Sequence, residues 1–129
     1  MRKALLPVFL PLLMAAALLG SCSARPDYYG SWEGDVLLVS VRYTLYADSF
    51  VQETYSFNDV LIQSQKGSLD AEDGRLVMKV TDIYQINPDT NTGRWVKTDD
   101  SIAMQYYVTG DRLELRPKGT GMTIALVRR

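Results

Sequence analysis

From Gly30 to the end of the chain, apolar and polar residues alternate in short runs separated by Gly, Asn and Asp. A period of two over runs of this length predicts strands with one face buried. Residues 36–46 predict the first clear strand, with Val41, Tyr43 and Leu45 alternating against Arg42 and Thr44. Glu33-Gly34-Asp35 ahead of it reads as a turn or a bulge. Ala47-Asp48 turns the chain into residues 49–57, where Val51, Tyr55 and Phe57 share a face. Asn58-Asp59 ends that run, and residues 60–71 follow with a bend at Gly67.

Asp73-Gly74 is a strong two-residue hairpin signal, because a type I′ turn needs positive φ at both central positions. Leu76, Met78 and Val80 then alternate with Val77, Lys79 and Thr81 in a strand running to Ile86. Residues 87–93 form a polar loop, residues 94–97 a short strand carrying Trp95, and Thr98-Asp99-Asp100 a turn. Ile102, Met104, Tyr106 and Val108 lie on one face of the next strand, and Gly110-Asp111 fits a type II′ hairpin. Leu113 and Leu115 alternate with Arg112, Glu114 and Arg116, the cleanest period of two in the chain. After a loop at 117–121, Met122, Ile124 and Leu126 close the chain against Thr123, Ala125 and Val127.

No window beyond the leader shows a sustained helical period with caps. The expected fold is therefore all-β, an antiparallel up-and-down barrel of about eight strands, since consecutive hairpins place neighbours side by side and closure removes exposed edges. A two-sheet sandwich is the alternative.

Residues 1–21 are a separate block. Arg2 and Lys3 precede an apolar run from Ala4 to Leu19, and Gly20 and Ser21 lead to Cys22. Positive start, apolar run and small-residue exit are the parts of a secretory signal peptide, helical in its apolar part. The run falls short of the roughly 20 residues a helix needs to cross a bilayer. Cys22 is the only cysteine, so no disulfide forms within the chain. Leu19-Gly20-Ser21-Cys22 resembles the lipid-attachment box of bacterial lipoproteins. That resemblance implies an acylated Cys22, the covalent lipid standing in place of any cofactor, and a membrane partner reached through the anchor. Ser23 is not the aspartate that this family associates with inner-membrane retention in some Gram-negative bacteria. The resemblance thus implies export to the cell envelope and favours the outer membrane.

The expected organisation is a signal peptide at 1–21, a lipidated tether at 22–29 and a barrel domain at 30–129. Seven tether residues at ~3.3 Å each reach about 23 Å at most, so the domain sits close over its membrane. Cleavage before Cys22 removes two basic residues and leaves twelve against fifteen acidic ones. With no basic patch interleaved with aromatics, nucleic acid is not an expected partner.

Gly30-Ser31-Trp32 opens the barrel segment and Arg128 lies near its end. The pair resembles the G-x-W signature and closing basic residue of the lipocalin and wider calycin barrels. In that group the tryptophan plugs one end and the basic residue packs over it, which assigns Gly30, Trp32 and Arg128 to barrel closure. A guanidinium over an indole is worth about 0.5–2 kcal/mol.

The chain has no histidine, which removes the usual general base and the commonest metal ligand. With Cys22 acylated no thiol nucleophile remains, so no catalytic residue is expected and the chain is not read as an enzyme. Carboxylates at Asp70, Glu72, Asp73 and at Asp99, Asp100 fall in expected turns. Asp89-Thr90-Asn91-Thr92-Gly93 partly matches a calcium loop but lacks the later bidentate glutamate, so no metal is expected.

The expected inward set is Trp32, Tyr43, Leu45, Met78, Val80, Met104, Tyr106, Leu113, Leu115, Ile124 and Leu126. Side chains this bulky fill much of an eight-stranded barrel and leave room only near its open mouth. Tyr43, Met78, Tyr84, Met104 and Tyr106 are the expected contacts for a small apolar or amphiphilic ligand there. The alternative is an envelope protein partner, bound as an interaction or protease-inhibitor lipoprotein with a filled core, through loops 87–93 and 117–121.

Overall fold

A computed structural model describes residues 25–87 and 89–129. The expected leader and Cys22 lie outside the described residues. Eight strands follow one another: β1 Gly30–Val36, β2 Val39–Leu45, β3 Ser49–Tyr55, β4 Leu61–Glu72, β5 Arg75–Asn87, β6 Thr92–Thr109, β7 Arg112–Pro117 and β8 Ile124–Arg128. Each pairs antiparallel with the next, and β8 returns to β1 through Trp32↔Arg128 and Glu33↔Val127. The sheet is a closed up-and-down barrel, and the described residues contain no helix.

Asp73 and Gly74 have φ of 51° and 76°, both positive as the type I′ turn requires. Gly110-Asp111 likewise turns β6 into β7, with φ of 59° at Gly110, and Ala47-Asp48 lies between β2 and β3. Other breakers lie differently from the expectation. Glu33-Gly34-Asp35 continues β1, and the turn is Leu37-Leu38, closed by the pair Val36↔Val39. Gly34 is there for close approach: a Cβ would collide with the Ala125 carbonyl oxygen and stand 2.9 Å from Leu126 Cδ2. Thr98-Asp99-Asp100 is not a turn, because β6 runs through it unbroken. Val80 faces Asp100 and Asp82 faces Lys97, so one extra residue of β6 is absorbed in a bulge. Residues 49–57 also end earlier than expected, with β3 stopping at Tyr55 and Phe57 standing exposed in the following turn.

One barrel end gathers the incoming segment 25–29, the turns after β2, β4 and β6, and the C-terminus. The other gathers the turns after β1, β3, β5 and β7. Near the first end the lumen is solid: Trp32, Leu45, Leu76, Leu113, Leu115 and Leu126 are essentially inaccessible to solvent. Of the expected inward set only Tyr106 is half-buried instead of buried, and the core adds Tyr28, Val41, Phe50, Leu69 and Leu76. At about 1.5–3 kcal/mol for each large apolar side chain, this packed layer supplies most of the force that closes the sheet.

Toward the second end the wall is uneven. β7 pairs only with residues 104–109 of the 18-residue β6, so the β4–β6 side rises above the β7–β8 side. Outward rungs carry charge, as in Glu33, Arg42 and Glu53 side by side on β1, β2 and β3. Such a surface is unlike the apolar band of a lipid-embedded barrel.

Candidate functional site

Two places in the lumen bear on function: the sealed end and the mouth. At the sealed end Trp32 is fully buried and its indole Nε1 donates to the Tyr28 carbonyl at 2.8 Å. The Arg128 guanidinium lies over the indole, 4.2 Å from its centroid. Its Nη1 donates to the Tyr29 carbonyl at 2.9 Å, and its Nε stands 3.6 Å from an Asp111 carboxylate oxygen. Gly30 has φ of +133°, and a Cβ there would sit 2.6 Å from Arg128 Nη1. A side chain at position 30 would thus push the guanidinium off the ring.

Tyr28 completes the seal. Its hydroxyl donates to the Ala47 carbonyl at 3.0 Å, and its ring meets Tyr106 edge-on at 5.5 Å. Burial, then neighbouring Tyr106 and Asp27, push the Tyr28 hydroxyl above its ordinary pKa. The first and last barrel strands and the incoming segment are therefore tied at one point. Its groups are saturated by each other, which makes it a plug and not a place for substrate.

At the mouth a cavity of about 210 Å³ opens above the packed layer. Tyr43, Phe50, Met78, Val80, Ile102 and Met104 make its apolar floor and one wall, while Gln52, Thr54, Gln63 and Gln65 line the β3–β4 wall. The strand register explains that polar wall. Gln52 faces Gln65 and Thr54 faces Gln63, so inward positions two apart on each strand put four polar side chains together. Gln52 is buried, and its Nε2 donates to Thr54 Oγ1 at 2.8 Å. Desolvation raises the Tyr43 hydroxyl to a pKa of about 12. The lining is thus uncharged across the physiological range. It can offer hydrogen bonds and apolar contact, and it holds no group suited to proton transfer near neutrality.

Of the five expected ligand contacts, Tyr43, Met78 and Met104 line this cavity. Tyr106 does not, because it packs on Tyr28 at the sealed end. Tyr84 does not either: it stands on the outer face against Trp95, ring centroids 5.4 Å apart, over Gly93. Counting by twos from inward Val80 puts Tyr84 inside, but Thr81 is an extra residue relative to β4. Gly67 faces Val80 while Lys66 faces Asp82, and beyond that slip Ile83 turns inward to pack on the core. The polar members Gln52, Thr54, Gln63 and Gln65 were not expected. Their signal was the i, i+2 spacing of Gln and Thr on paired strands, which ordinarily marks a solvated face.

The outer face carries further polar groups. Lys97 Nζ at 2.8 Å and Thr81 Oγ1 at 2.8 Å hold the Asp82 carboxyl below its usual pKa. Arg42 Nε has no hydrogen-bond partner, and its nearest acceptor, Glu33 Oε1 at 3.5 Å, makes a charge contact only. A larger hollow of about 310 Å³ beside Arg75, Arg116 and Lys118 lies on the outer wall, not in the lumen. Among the described residues no group of three or more potential metal ligands comes together. Comparison with protein-family models, with curated proteins and with solved structures gives no match to this chain.

Proposed function

We propose that this chain is a lipid-anchored envelope protein whose barrel binds one compact, weakly polar molecule at its mouth. One observation carries the binding half: an uncharged, half-polar cavity sits above an otherwise filled lumen. Its volume of about 210 Å³ sets the ligand class. Drug-sized ligands occupy roughly 300–1,000 Å³, whereas an apolar cavity of about 150 Å³ accepts benzene. The size favours a single ring or short branched chain over a whole fatty acid. Gln52, Thr54, Gln63 and Gln65 would meet one or two hydroxyl, carbonyl or amide groups, and Met78 and Met104 would adapt to the apolar part.

The anchor half rests on Leu19-Gly20-Ser21-Cys22, with acylation of the Cys22 sulfur. Lipid chains contribute about 0.8 kcal/mol per buried methylene, so two or more chains on one cysteine hold a protein on its membrane. The lipocalin-like element rests on Trp32 and Arg128 at the sealed end, and it bears on how the barrel closes more than on what it binds.

The two halves separate experimentally. Acyl labelling of the full chain should disappear in Cys22→Ala, and an unchanged labelled, membrane-bound product would sink the anchor. Binding of p-cresol, one ring with one hydroxyl, should be saturable by ligand-observed NMR and abolished when Ile102→Trp fills the mouth. Absence of saturable binding, or binding indifferent to Ile102→Trp, would sink the ligand site.

A further inference from the structure

The rim around the mouth carries a feature that neither the fold nor the cavity uses. Leu37 and Leu38, the two central residues of the β1–β2 turn, are 93% and 84% exposed, and Phe57 in the β3–β4 turn is 84% exposed. Val60 in the same turn is also exposed. The two turns are neighbours, because β2 pairs with β3 and Ser40 faces Tyr55 at their shared end.

Local energetics oppose this choice of residues. Leu37 has φ of 57°, a left-handed conformation that leucine rarely adopts and that Gly fills freely in a two-residue hairpin. Neither leucine gains burial in return. Residues that burden the turn and touch little of their own chain mark a surface that is covered by something else.

Charge chooses the occupant. Asp35 and Asp59 flank the tips, and Glu53 faces Arg42, the one basic residue in residues 35–62. That guanidinium is half-covered, lying over Tyr55 at 4.4 Å and between Glu33 and Asp59. An anionic membrane surface would repel such a rim, and so would the same acidic rim of a second copy. Two convex apolar tips flanked by carboxylates fit a concave apolar cleft edged with Lys or Arg. We infer that the Leu37-Leu38 and Phe57–Val60 turns form a docking wedge for a partner protein with such a basic-edged apolar cleft. The inference rests on neither the lipid anchor nor the mouth ligand.

The test uses the full chain in its source cells, with the photo-crosslinking residue p-benzoylphenylalanine placed at Val60 and, as a control, at Val127 on the opposite wall. Expected is one adduct with another protein from position 60 and none from position 127. Its cross-linked peptide should map to an apolar segment flanked by Lys or Arg. The adduct should fall at least tenfold in Leu37→Gly/Leu38→Ser, whose residues suit the turn, so that its thermal midpoint is equal to or above that of the parent. Asp35→Asn/Asp59→Asn should weaken the adduct about threefold or more. Any of the following overturns the inference: no adduct, an adduct of the chain with itself, an adduct with lipid only, a peptide without basic neighbours, or a protein adduct that survives the leucine replacements.

Discussion

Arg128→Ala tests how the barrel is sealed. The guanidinium makes four contacts: the stack on Trp32 at 4.2 Å, the bond to the Tyr29 carbonyl at 2.9 Å, a long bond from Nη2 to the Asp27 carbonyl at 3.5 Å that adds little, and the charge contact with Asp111 at 3.6 Å. The stack is worth about 0.5–2 kcal/mol, toward the upper half here because the indole is fully buried. A hydrogen bond from a charged donor contributes about 1.5–3 kcal/mol, discounted because about a third of the side chain remains exposed. The Asp111 carboxylate is 87% exposed, which limits that pair to well under about 1 kcal/mol. Together the substitution should cost about 2–4 kcal/mol. For a barrel of about a hundred residues this lowers the thermal midpoint by roughly 10–25 °C. Arg128→Lys keeps charge but loses the planar fork, and it should recover less than half of the loss. Asp111→Asn should change stability by less than about 0.5 kcal/mol. Urea unfolding followed by tryptophan fluorescence, in a Trp95→Phe background so that Trp32 alone reports, measures all three. An Arg128→Ala variant within about 0.5 kcal/mol of the parent, or equal to Asp111→Asn, would refute the assignment of closure to the stack and the Tyr29 bond.

Three further outcomes follow from the packing. Tyr43 ionises near pH 10 when unfolded but only at about 12 when folded, so its contribution is intact below pH 10 and is lost as pH rises toward 12. At about 1.4 kcal/mol per pH unit this amounts to roughly 3 kcal/mol, and urea midpoints between pH 9 and 11.5 should fall less steeply in Tyr43→Phe than in the parent. Gly34→Val should push β8 off β1 at a cost of about 1–3 kcal/mol, visible as faster amide exchange at Arg129, whose N–H bonds the Ser31 carbonyl. Leu115→Ala, at a fully buried position, should cost about 2–5 kcal/mol by calorimetry, while Leu38→Ala on the rim should cost no more than about 0.5 kcal/mol.

The sequence made the closed barrel legible because its strongest signals are local. Leu113-Glu114-Leu115 alternates through a strand paired on both sides, and Asp73-Gly74 supplies the backbone its turn demands. What escaped is where a residue contradicts local chemistry for the sake of something distant. Leu37-Leu38 reads as strand because leucine is no turn former, and Gly34 reads as a breaker because the strand that needs its missing Cβ comes 90 residues later. Thr98–Asp100 has the composition of a turn and serves as a bulge. The extra residue Thr81 reversed the parity of β5, which moved Tyr84 from the expected mouth to the outer wall. The site was half legible for a related reason. Apolar members Tyr43, Met78 and Met104 follow the buried pattern, whereas glutamines inside a barrel look, in sequence, like glutamines outside it.

The two proposed sites share a boundary, and that has a measurable consequence. Thr54 lies three residues before Phe57, and Gln63 three residues after Val60, so the polar wall of the cavity continues into the docking turns. A partner seated on the wedge overhangs the mouth. A lipid on Cys22 would be separated from Arg25 by Ser23 and Ala24 alone, about 10 Å of chain. The sealed end would then face the bilayer, with mouth and wedge both pointing outward, where one partner could cover both. Coupling between two binding sites is reciprocal. Addition of p-cresol should therefore alter the Val60 adduct yield, and the factor should shrink to one in Ile102→Trp, which closes the cavity while leaving the tips intact. Equal adduct yield with and without p-cresol in the parent chain, under conditions where the ring is bound, would show that the mouth and the wedge act independently.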